Sequence, residues 1–222
     1  MTFGREKGIR YRMQSAGSRP FVLYSLSSYQ DAPIDAGKDL MLSSYGISSK
    51  QSGFARWSQQ QGVMDIVLDD VHVSFAAEIP SQGRFLYMRE RFDLPQELVA
   101  FDPVTGRQEV IGQSNTHHSE FAWGRAELIE YQTPDDQRLQ GVLYYPAGYQ
   151  SDKRYPMVVD IYEHQSKTLH HYINPSRAGY DRAANFTLDG YFVFRPDIVY
   201  MFDEPGQSAL RCVVAGVESV LS

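Results

Sequence analysis

Over the first 122 residues the apolar positions never settle into spacings of three and four, so this part of the chain has no amphipathic helix from which to build a core. It has instead short β-prone runs at 9–13, 21–25, 63–68, 71–76, 85–89, 98–102 and 108–111, separated by clusters of Gly, Pro, Ser and Asp. The unit is clearest in GRFLYMRERFDLPQELVAFDPVTGRQEVIG. Here RFLYMR is one strand and ELVAFD the next, with Leu98 and Ala100 alternating with Val99 and Phe101, and RQEVIG returns. Asp102-Pro103-Val104-Thr105-Gly106 places Pro and Gly where a tight turn needs them. Strand pairs at such short spacing predict propeller blades or a sandwich, and at roughly 40–50 residues each about two to three blades fit.

The pattern changes near Trp123-Gly124. AELIEYQTPDDQRLQGVLYYP predicts two strands, 126–132 and 139–145, reversing at Pro134-Asp135-Asp136. A polar loop leads to MVVDIY, apolar on both faces as in a central strand, and then to a long irregular segment. AANFTLDG predicts a short helix ended by Gly190, and YFVF a buried strand stopped by Arg195-Pro196-Asp197. In SALRCVVAGVESVL the apolar Leu210, Val213, Val214, Val217 and Leu221 fall at helical spacing, so an amphipathic helix is expected with these on its buried face. The order β, β, β, α, β, α is how an α/β sheet covered on both faces begins. The two parts are expected to join at about 120–126, with Trp123 packed at the junction.

Composition narrows the function classes. Hydrophobic residues make up 42% and charged residues 22%, as in a globular protein, and 13% aromatics lean towards β structure. A net charge of −6 gives no footprint for phosphates, so no nucleic-acid partner is expected. No apolar run approaches the roughly 18 residues of a membrane span, and the first seven residues lack the apolar core of a signal peptide. The single Cys212 allows no internal disulfide and is expected as a small buried helix residue.

Several polar groups deserve weighing as sites. His117-His118 is expected in a solvated loop, and Arg89-Glu90-Arg91 at a solvated strand end. His164, His170 and His171 are spaced H-x5-H-H, which matches no common zinc pattern, and no Cys is near; no metal or cofactor is expected. A triad from Ser166, His164 and Asp160 would have to converge from nearly consecutive positions of one strand end, where side chains alternate faces. Gly206-Gln207-Ser208-Ala209-Leu210 is the nearest string to the G-x-S-x-G nucleophile elbow, but its fifth position is Leu and it precedes a helix rather than following a strand. Ser208 is expected as that helix's N-cap.

The string ELIEYQTPDDQRLQGVLYYPAGYQSDKRYPMVVDIYEHQS, then DGYFVFRPDIVYMFDEPGQSAL and VVAGVESVL, resembles the start of the catalytic domain of the prolyl oligopeptidase family of serine peptidases. The acylaminoacyl-peptidase and dipeptidyl-peptidase branches look most similar. A G-x-L-Y-x-P strand, a K-x-Y-P loop before a strand ending in Tyr, a G-Y-x-V-x-x-P-D strand and a P-G-x-S turn fall in the family's order over residues 125–221. The resemblance implies a partial β-propeller over 1–122, its last blades, followed by the N-terminal part of an α/β-hydrolase domain over 123–222. It implies hydrolysis of short peptides by a Ser-Asp-His acyl-enzyme mechanism, with the triad beyond Ser222, so that this chain alone is a fragment and inactive. It also implies that Tyr162, at the strand end, donates its hydroxyl to the oxyanion of the tetrahedral intermediate. The sequence departs from the family after this tyrosine, with Glu163-His164-Gln165 where Gly-Gly or Ala-Gly and Pro usually stand. Two alternatives stay open: a non-catalytic β-rich binding or scaffold module, and a fragment of an esterase on the same fold.

Overall fold

The computed structural model describes residues 10–12, 22–25, 39–176 and 182–222. The described residues pack as two compact units, one within Met1–Arg91 and Pro95–Asn115, the other within Phe92–Leu94 and Thr116–Ser222. The segment 116–122 therefore packs with the second unit, together with three residues recruited from the first half of the sequence.

The strand pairs whose register is described in the first unit are antiparallel. One sheet runs in the order β1 (Arg10–Arg12), β2 (Val22–Ser25), β3 (Leu40–Tyr45), β4 (Ser52–Ser58), β5 (Gly62–Asp69). The other runs β6 (His72–Ile79), β7 (Arg84–Arg91), β8 (Leu94–Asp102), β9 (Arg107–Gln113). Neither sheet closes into a barrel among the described residues. β3 and β4 were not anticipated: LMLSSY and SGFARWS carry four Ser and no clear alternation of apolar and polar residues. Pairing with each other and with β5 makes them strands, and a bulge at Phe54/Ala55 turns Phe54 into the core. There the Phe54 ring lies 5.4 Å from Phe85 and 5.5 Å from Tyr87, so the two sheets share one core. Ser52 links them, its Oγ donating to the Val71 carbonyl and accepting the Val73 N–H, both at 2.7 Å. Arg89 is not a solvated strand end. It donates to Glu97 at 2.9 Å and to Gln108 at 2.8 Å, tying β7 to β8 and β9.

The second unit holds a four-stranded mixed sheet in the order β10 (Ala126–Gln132), β11 (Arg138–Tyr144), β13 (Phe192–Pro196), β12 (Met157–Val159). β10, β11 and β13 are antiparallel in turn, while β12 and β13 are parallel. The parallel ladder stops at Val159, shorter than the run to Tyr162 expected from its apolar residues. Period-2 alternation sends Val142, Tyr144 and Val193 to one face and Leu143 and Phe194 to the other. Helix α1 (Ala183–Leu188), Leu169 and Phe92 cover the first face; α2 (Pro205–Leu221) covers the second.

α2 differs from expectation at two points. It starts at Pro205, whose fixed φ suits the first helical position, so Ser208 is buried inside the first turn rather than capping it. The Ser208 hydroxyl donates to the Glu204 carbonyl at 2.7 Å and accepts the Met201 N–H at 3.0 Å. The helix also buries a face only partly shared with the expected one, Val217 being the common residue in the core. Ser208, Cys212 and Gly216 face inwards, with Ala215, Val217 and Val220 against the core, while Leu210, Val214 and Leu221 are exposed. A Cβ on Gly216 would lie 2.9 Å from the Phe194 ring and 3.2 Å from that of Tyr131. The aromatic face of the sheet admits only small residues at that approach.

Candidate functional site

Tyr162 lies three positions beyond the end of β12, in the segment joining that strand to a 3-10 turn at Ser166–Thr168. It is 71% exposed, and its hydroxyl meets no hydrogen-bond partner among the described residues. Ile161, Glu163 and His164 beside it are also exposed. The segment is nevertheless anchored at both ends and in its middle. At the strand side the Asp160 N–H donates to the Phe194 carbonyl at 2.9 Å, and Arg195 Nε pairs with the Asp160 carboxylate at 2.7 Å. In the middle the Ile198 N–H donates to the Glu163 carbonyl at 3.2 Å. At the far side the Asp197 carboxylate accepts the Ser166 N–H at 2.7 Å and the Ser166 hydroxyl at 2.5 Å.

Arg195 and Asp197 are two apart at the end of β13, so the pleat sets them on the same side of the chain. The guanidinium also lies 5.5 Å from the centre of the Tyr144 ring. Burial pushes the Tyr144 phenol above its ordinary range, and its hydroxyl lies 3.3 Å from Thr168 Oγ1. The sequence had marked Arg195-Pro196-Asp197 only as a strand stop. Alternation of two ionisable residues across a proline at a strand's carboxyl end was the available signal.

Ser166, His164 and Asp160 do not form a triad: Ser166 engages Asp197, Asp160 engages Arg195, and His164 is exposed. Cys212 is buried in α2, as its small size and position predicted. The His117-His118 pair is not uniformly solvated. It sits in a 3-10 turn, Thr116–Glu120, where His117 is exposed but His118 packs its ring 4.3 Å from that of Trp123. His118 Nδ1 lies 3.2 Å from the Tyr172 hydroxyl, Trp123 and Tyr172 stack at 5.7 Å, and the Trp123 indole N–H donates to the Phe92 carbonyl at 2.8 Å. Trp123 thus belongs to an aromatic cluster inside the second unit.

No family model and no curated protein matches the sequence. Solved structures do match by shape. The apo form of the AtxE2 isopeptidase superposes with a TM-score of 0.61 at 13% identity, over 85% of this chain and 30% of its own. The acylaminoacyl peptidase of Pyrococcus horikoshii gives 0.58 at 14%, over 96% of this chain and 38% of its own. A prolyl endopeptidase gives 0.53 at 13%, over 91% and 33%. At such identities the likeness is one of fold, and the chain spans about a third of the length of these peptidases.

Proposed function

We propose that this chain belongs to a serine peptidase of the prolyl oligopeptidase type. The first unit contributes the last blades of its propeller, the second unit opens its α/β-hydrolase sheet, and Tyr162 donates to the oxyanion. The strand order β10-β11-β13-β12, with Tyr162 just past the carboxyl end of β12, carries this reading. Ligands of open α/β sheets bind at that end. The fold likeness to several peptidases supports it.

The chemistry asks little of the tyrosine beyond aim. As a serine oxygen attacks the peptide carbonyl, negative charge develops on the carbonyl oxygen. An O–H donor already in place lowers the barrier without having to reorganise. Tyr162 fits because its ring stands out from the sheet while the backbone on either side is pinned. No G-x-S-x-G string occurs in the 222 residues, so we place the triad outside them and expect this chain alone to be inactive on peptides.

The test is Tyr162→Phe in the full-length gene product. A lost oxyanion donor lowers kcat by roughly 10²–10³, about 2.7–4 kcal/mol, with KM little changed. A tyrosine without a catalytic role would instead leave kcat intact, and stability as well, because its exposed hydroxyl makes no hydrogen bond to lose. Wild-type turnover in the Phe variant removes Tyr162 from the mechanism.

A further inference from the structure

We infer that Asp197 is a positioning residue for Tyr162, acting through Ser166. The inference rests on the role proposed for Tyr162 above. The segment DIYEHQSKT, residues 160–168, contains no Gly or Pro and no residue with positive φ. Its local constraints are the 3-10 turn at Ser166–Thr168 and the Gln165 amide donating to the Asp160 carbonyl at 2.9 Å, so the rest of its course is held from outside the segment. Asp197 does so from a fixed base. Its N–H donates to the Gln140 carbonyl of β11 at 2.8 Å, and its carbonyl accepts the Tyr131 hydroxyl of β10 at 2.7 Å. Its carboxylate then gives one oxygen to the Ser166 N–H and the other to the Ser166 hydroxyl. Asp197 is 7% exposed and Ser166 2%. Water cannot replace these bonds, and breaking them strands a buried acceptor. Beyond Ser166, Leu169 is buried in the core of the same unit. Arg195 holds the opposite end of the segment through Asp160. Tyr162 sits between the two anchors.

Ser166→Ala removes the hydroxyl arm and keeps the N–H arm; Asp197→Ala removes both. In the full-length gene product kcat for a peptide should fall roughly 3–10-fold in the first and 10–100-fold in the second, the scale on which small misplacements act. KM should change by less than about twofold, because the segment aims a transition-state donor. Asp197→Asn keeps an acceptor for the Ser166 N–H, and the Ser166 hydroxyl can reverse to accept from the amide, so this variant should recover most of the activity. In a Tyr162→Phe background neither alanine should cost more turnover, since the donor being aimed is already gone. Thermal melting accompanies each variant, and if Asp197→Ala fails to fold, Ser166→Ala carries the test. Wild-type kcat in Ser166→Ala, or full additivity with Tyr162→Phe, overturns the positioning role while leaving the oxyanion role standing. Wild-type kcat in Tyr162→Phe alone, or no peptide hydrolysis by the full-length protein, overturns both.

Discussion

At His118 a single residue couples packing to acidity. Two adjacent histidines are indistinguishable in sequence, yet one is exposed and the other lies against Trp123 and Tyr172. Burial lowers the His118 pKa below the ordinary 6.5; the Asp93 hydrogen bond and charge oppose this, and the neighbouring His117 adds to it. His171 is lowered in the same direction, by burial first and then by Lys167. A histidine depressed in the folded state is protonated more readily when unfolded. Stability is thus fully present above about 6.5 and is lost as pH falls from there to the folded-state pKa, after which it levels. Denaturant titrations at about pH 7.5 and 5.5 should show the second unit weaker at the lower pH. His118→Phe, which keeps a ring on Trp123 but cannot titrate, should flatten the slope. An unchanged pH dependence in that variant would assign the acid sensitivity elsewhere.

At the scale of one element, α2 shows why a correct helix can bury an unexpected face. The branched residues Leu210, Val214 and Leu221 make the more hydrophobic stripe, yet they stay exposed. The sheet face below carries Tyr131 and Phe194, and those rings already fill the space that larger helix residues would occupy. Small residues let the helix axis come close enough to gain contact along its length. Gly216→Val should therefore destabilise by about 1–3 kcal/mol, as overpacking does, even though Gly is among the poorest helix formers. Chemical denaturation measures the difference, and a neutral or stabilising result would mean that Phe194 can yield.

For the molecule as a whole, the division into units does not follow the order of the chain. Phe92 comes from the strand-rich first half but is fully buried in the second unit, 4.7 Å from the Tyr144 ring and 6.0 Å from that of Trp123. Phe92→Ala should cost about 3–5 kcal/mol, and the loss should fall on the second unit. Amide exchange localises it: protection should drop in β11 and β13, while β4 and β5 keep theirs. An equal loss across both units would show that they unfold as one.

The elements themselves were legible wherever pattern and turn chemistry agreed. The 126–132 and 139–145 hairpin, the 98–102 alternation, the short helix before Gly190 and the long final helix all appear at or near their expected places. Each depends on side-chain period and backbone preference, which are local. β3 and β4 were not legible, because strands without a clear side-chain alternation are held by their pairing partners rather than by local pattern. For the same reason the sequence marked Tyr162 but neither Asp197 nor Arg195 as a site residue, and weighed Ser166 only in a triad that does not form. Tyr162 stands out by its place at the end of an apolar run. The anchors form only when two parallel strands, 35 residues apart at Asp160 and Arg195, bring their carboxyl ends together. Which residues become strands is largely decided by local chemistry; which side chains meet is decided by long-range pairing and close packing, and the candidate site consists of such meetings.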